Sequence, residues 1–225
     1  MNILSKKKIL KIESRNSFFN NVINNNLFEI IISGRSNVGK STIMNLLTHK
    51  KFSVGKRPGI TLKPNHVYLS NILITDLPGF GFMSGINDIK INIIKSEIVK
   101  YIEKNKNKIK IALYVVDIKS FMNIIKRWKK RNEIPIDLEY VSFLLEMNII
   151  VILIINKIDK ILDNSKLKIG INEIIHTFRL ENKYYFNKRL LIAKISAKYN
   201  NISSLKKKLK LKIHELKRDD LLKYF

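Results

Sequence analysis

Apolar residues along the 225-residue chain fall into short continuous runs, and these alternate with stretches in which apolar positions recur at helical spacing. Runs at 28–33, 66–69, 72–75, 109–116, 149–155 and 190–195 are dominated by Ile, Val and Leu and predict strands. Most are apolar throughout, as befits strands covered by helices on both faces. Stretches at 41–48, 88–104, 137–147, 166–178 and 202–216 predict helices. The last of these lines up Ile202, Leu205, Leu209, Ile213 and Leu216 on one stripe with lysines around it. Alternation of this kind predicts a doubly wound α/β sheet that binds its ligand at the carboxyl ends of the strands.

No Pro-, Gly- or Ser-rich linker divides the chain, so one domain is expected over 26–217, with an N-terminal extension at 1–25 and a tail at 218–225. The longest apolar run, 149–155, is too short to span a bilayer, and the first residues lack a signal peptide's apolar stretch. The expectation is a soluble, cytoplasmic monomer. With no cysteine, disulfides and thiolate metal sites are excluded.

Forty-three Lys and Arg face eighteen Asp and Glu, a formal charge of +25. Part of that excess follows from a composition bias that enriches Lys, Asn and Ile together, but bias alone does not deplete acids so far. A polyanionic partner is therefore expected, either nucleic acid or an anionic membrane surface. At 126–131, "KRWKKR" places Trp128 among five cations, which suits either RNA contact or a solvated face whose ring packs inward. The lysines of the C-terminal "KKKLKLKIHELKR" are equally open, and His176 and His214 have no partner pattern.

Chemistry concentrates in five stretches. The first, "GRSNVGKST" at 34–42, has Gly34 and Gly39-Lys40-Ser41 at P-loop spacing, between a predicted strand and a predicted helix. Glycines let the backbone of Gly34, Arg35, Ser36, Asn37, Val38 and Gly39 curl so that N–H groups face a β-phosphate at the positive end of the following helix, which Thr42 continues. Lys40 is expected to reach the β- and γ-phosphates and Ser41 to ligate Mg2+. The second, "RPGIT", offers Gly59, Ile60 and Thr61; the Thr61 hydroxyl and carbonyl are expected to close over the metal only when a γ-phosphate is present. In the third, "DLPGFG", a strand delivers Asp76 to a water-mediated hold on Mg2+, and Leu77 and Pro78 lead to Gly79, whose N–H suits the γ-phosphate.

The fourth, "NKID", covers Asn156, Lys157, Ile158 and Asp159. A carboxylate at Asp159 can accept from both guanine N1–H and the 2-amino group, a pattern adenine lacks; the Lys157 stem can lie over the base, and Asn156 is expected to tie this loop to the P-loop. The fifth, "SAK", places Ser196, Ala197 and Lys198 so that the Ala197 N–H faces guanine O6 and Lys198 flanks the ring.

In this order the five stretches resemble the motif series of translation-factor-class P-loop GTPases, and more closely the EngB-type (YihA/YsxC) family. The resemblance rests on Arg35, Ser36 and Asn37 in the P-loop, on "DLPG" followed by Phe80-Gly81-Phe82, and on "PIDLEYVSFLLEMNI" at 135–149. "SFMNIIKRWKKRNEIPID" is similar to the longer version of that approach in archaeal members. The match runs from 28 to about 215; residues 1–25 carry no motif, and Leu62 stands where the family often has a basic or polar residue. The resemblance implies a three-layer Ras-like domain with a mostly parallel sheet, Mg2+-dependent hydrolysis of GTP to GDP, a role in assembling the large ribosomal subunit on ribosomal RNA, and a link to septation in cell division. Phe80 stands where many small GTPases have a water-orienting glutamine, so slow intrinsic hydrolysis is expected. The Asn37 amide either holds a K+ ion beside the phosphates or only braces the loop. The competing reading is a guanine-nucleotide sensor that hardly turns over and docks on RNA or an anionic membrane. A purely structural ribosomal protein would have no use for both phosphate and guanine elements.

Overall fold

The computed structural model describes residues 27–49, 64–79, 88–131, 134–186 and 188–225. Among these, six strands form one sheet: β1 (Phe28–Gly34), β2 (Asn65–Leu69), β3 (Ile72–Asp76), β4 (Ile109–Asp117), β5 (Ile150–Asn156) and β6 (Leu190–Lys194). Their order is β2-β3-β1-β4-β5-β6; β2 runs antiparallel to β3 and the other pairings are parallel. The α-helices that cover it are α1 (Lys40–Thr48), α2 (Asp88–Asn105), α3 (Ile118–Lys129), α4 (Ile136–Glu146), α5 (Asn164–Glu181) and α6 (Ser203–Glu215).

The period-2 pleat sorts β1 onto two faces. Ile31 packs with α2, α3, α4 and α5 through side chains such as Ile98, Phe121, Val141 and Phe178, whereas Ile30 and Ile32 face α1 and α6 through Ile43, Met44, Leu205 and Leu209. Both faces are dry, and this is why the strands read as unbroken apolar runs rather than alternating ones. One acid interrupts β1. Glu29, buried, accepts hydrogen bonds from the Tyr101 hydroxyl and from Thr75 Oγ1 at 2.7 Å, and burial pushes its carboxyl above the usual range against the pull of those two donors.

Two regions depart from the sequence expectation. The stretch 118–129, not predicted as an element, is helix α3: Asp117 accepts from the Ser120 N–H at 3.1 Å as its N-cap, and Ile118, Phe121, Ile124 and Ile125 are buried. Trp128 packs against the same core while Lys126, Arg127, Lys130 and Arg131 stay exposed, so the ring is a packing residue. Residues 218–225, expected as a tail, fold back through a 3-10 turn at Asp219–Tyr224 that buries Leu221 and Phe225 against the α1/α6 core. The Arg218 guanidinium lies 5.7 Å from the centre of the Phe28 ring. The N-terminal extension expected at 1–25 lies outside the described residues.

Because Leu221 is 1% exposed, Leu221→Ala is expected to lower unfolding free energy by about 2–5 kcal/mol in urea titrations. An unchanged midpoint would mean that the C-terminal turn does not pack there.

Candidate nucleotide site

Parallel register brings the carboxyl ends of four strands side by side: Asp76 pairs with Ile32 two residues before Gly34, Gly34 sits beside Val115, and Asp117 sits beside Asn156. The stretches at 34–42, 76–79 and 156–159 leave from these ends towards the start of α1, and 196–198 follows β6 beside them.

Gly34 has φ 135°, and a Cβ there would lie 2.3 Å from the Val115 carbonyl oxygen; Gly39 has φ 106°, and its Cβ would lie 2.5 Å from Asn156 Nδ2. Neither position admits another residue without strain. Asn37 between them is also left-handed, at φ 62°. Helix α1 then starts at Lys40 with no side-chain cap and no acid in its first turn, which leaves its first N–H groups to an anion.

Lys40 is buried, and its Nζ donates to the Arg35 carbonyl at 2.9 Å. Burial pulls its pKa down to about 8, against the opposing charge of Asp76. Ser41 donates to Asp76 Oδ2 at 2.6 Å, and the other oxygen, Oδ1, is buried with no hydrogen-bond partner. Burial raises the Asp76 pKa, with Lys40 and the Ser41 hydroxyl pulling the other way. The Leu77 N–H donates to the Ile32 carbonyl at 2.9 Å, and Leu77, Pro78 and Gly79 are buried. Gly79 presses on the P-loop so closely that a Cβ would meet Ser36 N and Oγ at 2.8 Å. Among the described residues no cluster of three His, Asp or Glu side chains could hold a metal by itself.

Asn156 lies between the loops. Its Nδ2 donates to the Val38 carbonyl at 2.8 Å and its Oδ1 accepts from the Ala197 N–H at 3.1 Å, so one buried amide joins three loops. Ile158 leans on the core, and Asp159 Oδ1 accepts from the Ser196 hydroxyl. Lys157, at φ 62°, donates to the Asn37 carbonyl and pairs with Asp117 Oδ2 at 2.9 Å. Lys198 is exposed, its Nζ 4.9 Å from the centre of the Tyr199 ring, and Val38 and Thr42 sit in and just after the loop, buried and half-buried.

One expectation needs correction, and one side chain takes a course the sequence left open. The Ala197 N–H, expected to face guanine O6, is spent on Asn156, so contact with a purine oxygen requires that bond to be shared or released. The Arg35 side chain turns away from the loop interior to a bidentate pairing with Asp137 on α4, at 2.9 Å from Nε and 2.6 Å from Nη2 to Oδ2. Its backbone alone remains in the cradle. Gly59, Ile60 and Thr61, and Phe80 after Gly79, lie outside the described residues.

The structure also adds two acids that sequence reading misses. Asp137 receives Arg35 and the Tyr114 hydroxyl, the latter at 2.8 Å. Asp117 receives Lys157 and, at 3.1 Å, Lys160. Burial alone would raise the Asp117 pKa, but the Lys157 ammonium and the Ser120 N–H hold it below the usual carboxylate range. A signal for Asp117 exists: like Asp76, it is an acid ending a buried apolar strand.

Comparison with known proteins agrees with this geometry. Residues 29–157 match the family model described as "50S ribosome-binding GTPase". The chain is 47% identical over 197 residues to "Probable GTP-binding protein EngB" of Methanosarcina barkeri, covering 88% of this chain and 93% of that one. The chain belongs to the EngB family of GTP-binding proteins. A crystal structure of a probable GTP-binding protein engB superposes with TM-score 0.69 at 43% identity, covering 85% of this chain and 99% of the other. A point variant of Era from Aquifex aeolicus, bound to GDP.AlF4-, gives TM-score 0.56 at 25% identity over 88% of this chain and 56% of its own. As an EngB-family GTPase, the protein binds GTP and GDP, and the mostly parallel sheet is that of P-loop GTPases.

Lys40 gives this EngB-type site a pH signature. With its free-state pKa near 8, Lys40 is largely neutral at about pH 8.5, and phosphate oxygens favour its ammonium form. Binding of GDP at about pH 8.5 is expected to take up a substantial fraction of a proton, falling towards none near neutral pH. Calorimetry in buffers of different ionisation enthalpy reads this directly, and equal heats at the higher pH would place Lys40 fully charged beforehand. In the free protein the sign is the reverse of a stabilising pair: unfolded Lys40 holds its proton up to about 10.4, so its burial penalty fades, and stability rises, from about pH 8 to there.

Proposed function

We propose that this chain is a cytoplasmic, monomeric GTPase that acts in assembly of the large ribosomal subunit, hydrolysing GTP to GDP and phosphate, with the septation link that the family resemblance implies. The observation that carries the nucleotide part is the Asn156 amide, which holds the phosphate loop and both base loops in one constellation. The family description and the +25 charge support the ribosomal part.

In this reading, N–H groups from Gly34 to Ser41 and the start of α1 hold the β-phosphate, Lys40 leaves the Arg35 carbonyl for the β- and γ-oxygens, and the Gly79 N–H faces the γ-phosphate. Asp159, aimed by Ser196, accepts from guanine N1–H and the 2-amino group; Lys157 lies along the base and Lys198 flanks it. Oxygen donors and an unpartnered buried Asp76 Oδ1 fit a small hard cation that also needs phosphate oxygens. Ser41 and Thr61 would hold Mg2+, with Asp76 acting through water, and the ion supplies charge neutralisation on the β- and γ-oxygens. Water attacks the γ-phosphorus; its bond to the β–γ bridging oxygen breaks and the electron pair leaves with GDP. Phe80 has no group to orient that water, so turnover is slow without a partner. Asn37 would hold K+, which would supply further positive charge for the phosphate oxygens.

Large-subunit particles are expected to co-purify with the GTP-loaded chain, to be lost with GDP, and to accelerate turnover more in K+ than in Na+ buffer. Tight GTP binding with no stimulated hydrolysis and with recruitment to anionic lipid would replace this reading by the sensor. Equal rates in the two buffers would remove K+ from it.

A further inference from the structure

A cleft of about 540 Å3 opens between α3 and the turn that leads from Ile158–Lys160 into α5. Lys119, Lys126, Lys160 and Lys166 line it, together with Met122 and Leu162. Met122, in that lining, sits close against α5, since a Cβ on Gly170 would lie 2.5 Å from its Sδ. Leu162 is 93% exposed. One exposed leucine is ordinary, but this one shares a lining with four lysines and with Met122, Ile161 and Ile169.

The charge around the cleft is net positive, four lysines against Asp163. Helix α3 contains no acid, and exposed Arg127, Lys130 and Arg131 continue its positive face beyond the cleft. The acid in the lining, Asp163, accepts from the Ser165 and Lys166 N–H groups at 2.8 and 3.0 Å, and its Oδ2 lies 3.9 Å from Lys166 Nζ, an exposed pair that still leaves the lining net positive. A track of cations longer than the cleft fits a polymer of phosphates better than one small anion. The apolar part of the lining fits an unstacked base, with the Asn123 amide in the same lining to meet a base edge. A duplex keeps its bases stacked inside, and an anionic bilayer, which an exposed Leu162 among lysines also suits, is the outcome that the vesicle measurement separates.

We propose that this cleft docks an unstacked nucleotide of single-stranded RNA, with the lysine rim on the flanking phosphates; the inference rests on the ribosomal reading above and names the surface that serves it. Lys160 shares Asp117 with Lys157, so the RNA cleft and the guanine loop meet at one carboxylate. For that reason the test leaves Lys160 intact.

Fluorescence anisotropy with labelled oligouridine, a blunt RNA duplex, polyglutamate and phosphatidylglycerol vesicles is carried out on the GDP-loaded full chain, alongside sedimentation with large-subunit particles. The double variant Lys126→Ala/Lys166→Ala is expected to bind oligouridine roughly tenfold more weakly, with a salt slope lower by about 1.4, as two lost phosphate contacts require. Leu162→Asp is expected to weaken the single strand more than the duplex, Lys126→Arg/Lys166→Arg to keep binding, and all to keep wild-type GDP affinity. Unchanged oligouridine binding by the double variant, with particles still bound, overturns the cleft and leaves the ribosomal reading standing. If wild type binds neither oligouridine nor particles, both fall. A loss confined to vesicles or to polyglutamate overturns the RNA assignment in favour of a membrane or an acidic protein.

Discussion

One buried carboxamide sets the geometry on which the site depends. Asn156 is 1% exposed and satisfied at both ends, by the Val38 carbonyl and the Ala197 N–H, so three loops that leave different strands are held to one spacing. An unpaired buried polar group costs about 1–3 kcal/mol, which makes the clasp strongly preferred over any looser arrangement. It also explains Gly39 twice over: the backbone there is left-handed, and Asn156 occupies the space a side chain would need.

Three acids extend the same logic in a chain where acids are scarce. Asp76, Asp117 and Asp137 each stand at the end of a strand or the start of a helix, and each faces a cation or donor from the site: Ser41 and Lys40, Lys157 and Lys160, and Arg35. Asp137 and Asp117 fix the outer wall of the P-loop and the stem of the base loop from α4 and β4. Asp76 differs, because one of its oxygens is left unused inside the protein. Of these three, Asp117 and Asp137 use both oxygens, and Asp76, with one to spare, faces the start of α1.

The strands and most helices are legible in the sequence because both sheet faces are dry and the apolar runs are therefore unmixed. Helix α3 is not, although Ile118, Phe121 and Ile125 have helical spacing, because the cations that follow draw the stretch to a surface reading. The C-terminal turn escapes notice because its four apolar side chains, Leu221, Leu222, Tyr224 and Phe225, span too short a stretch to carry a periodic signal. At the site, the glycines and the Lys40, Ser41, Asp76 and Asn156 positions are legible since backbone geometry demands residue types at fixed spacing. The Arg35–Asp137 pairing spans 102 residues and leaves no local trace. Ala197 is misleading for a related reason: its N–H partner in the free protein is a side chain from another loop.

The most direct test of the Asn156 clasp is calorimetric titration of Asn156→Ala with GDP, ADP and inorganic pyrophosphate. If one amide holds phosphate and base loops together, GDP and pyrophosphate affinities fall together by about tenfold or more, and the preference for GDP over ADP narrows. Wild-type pyrophosphate affinity in a folded variant would contradict the account, since the phosphate loop would then keep its shape without the clasp.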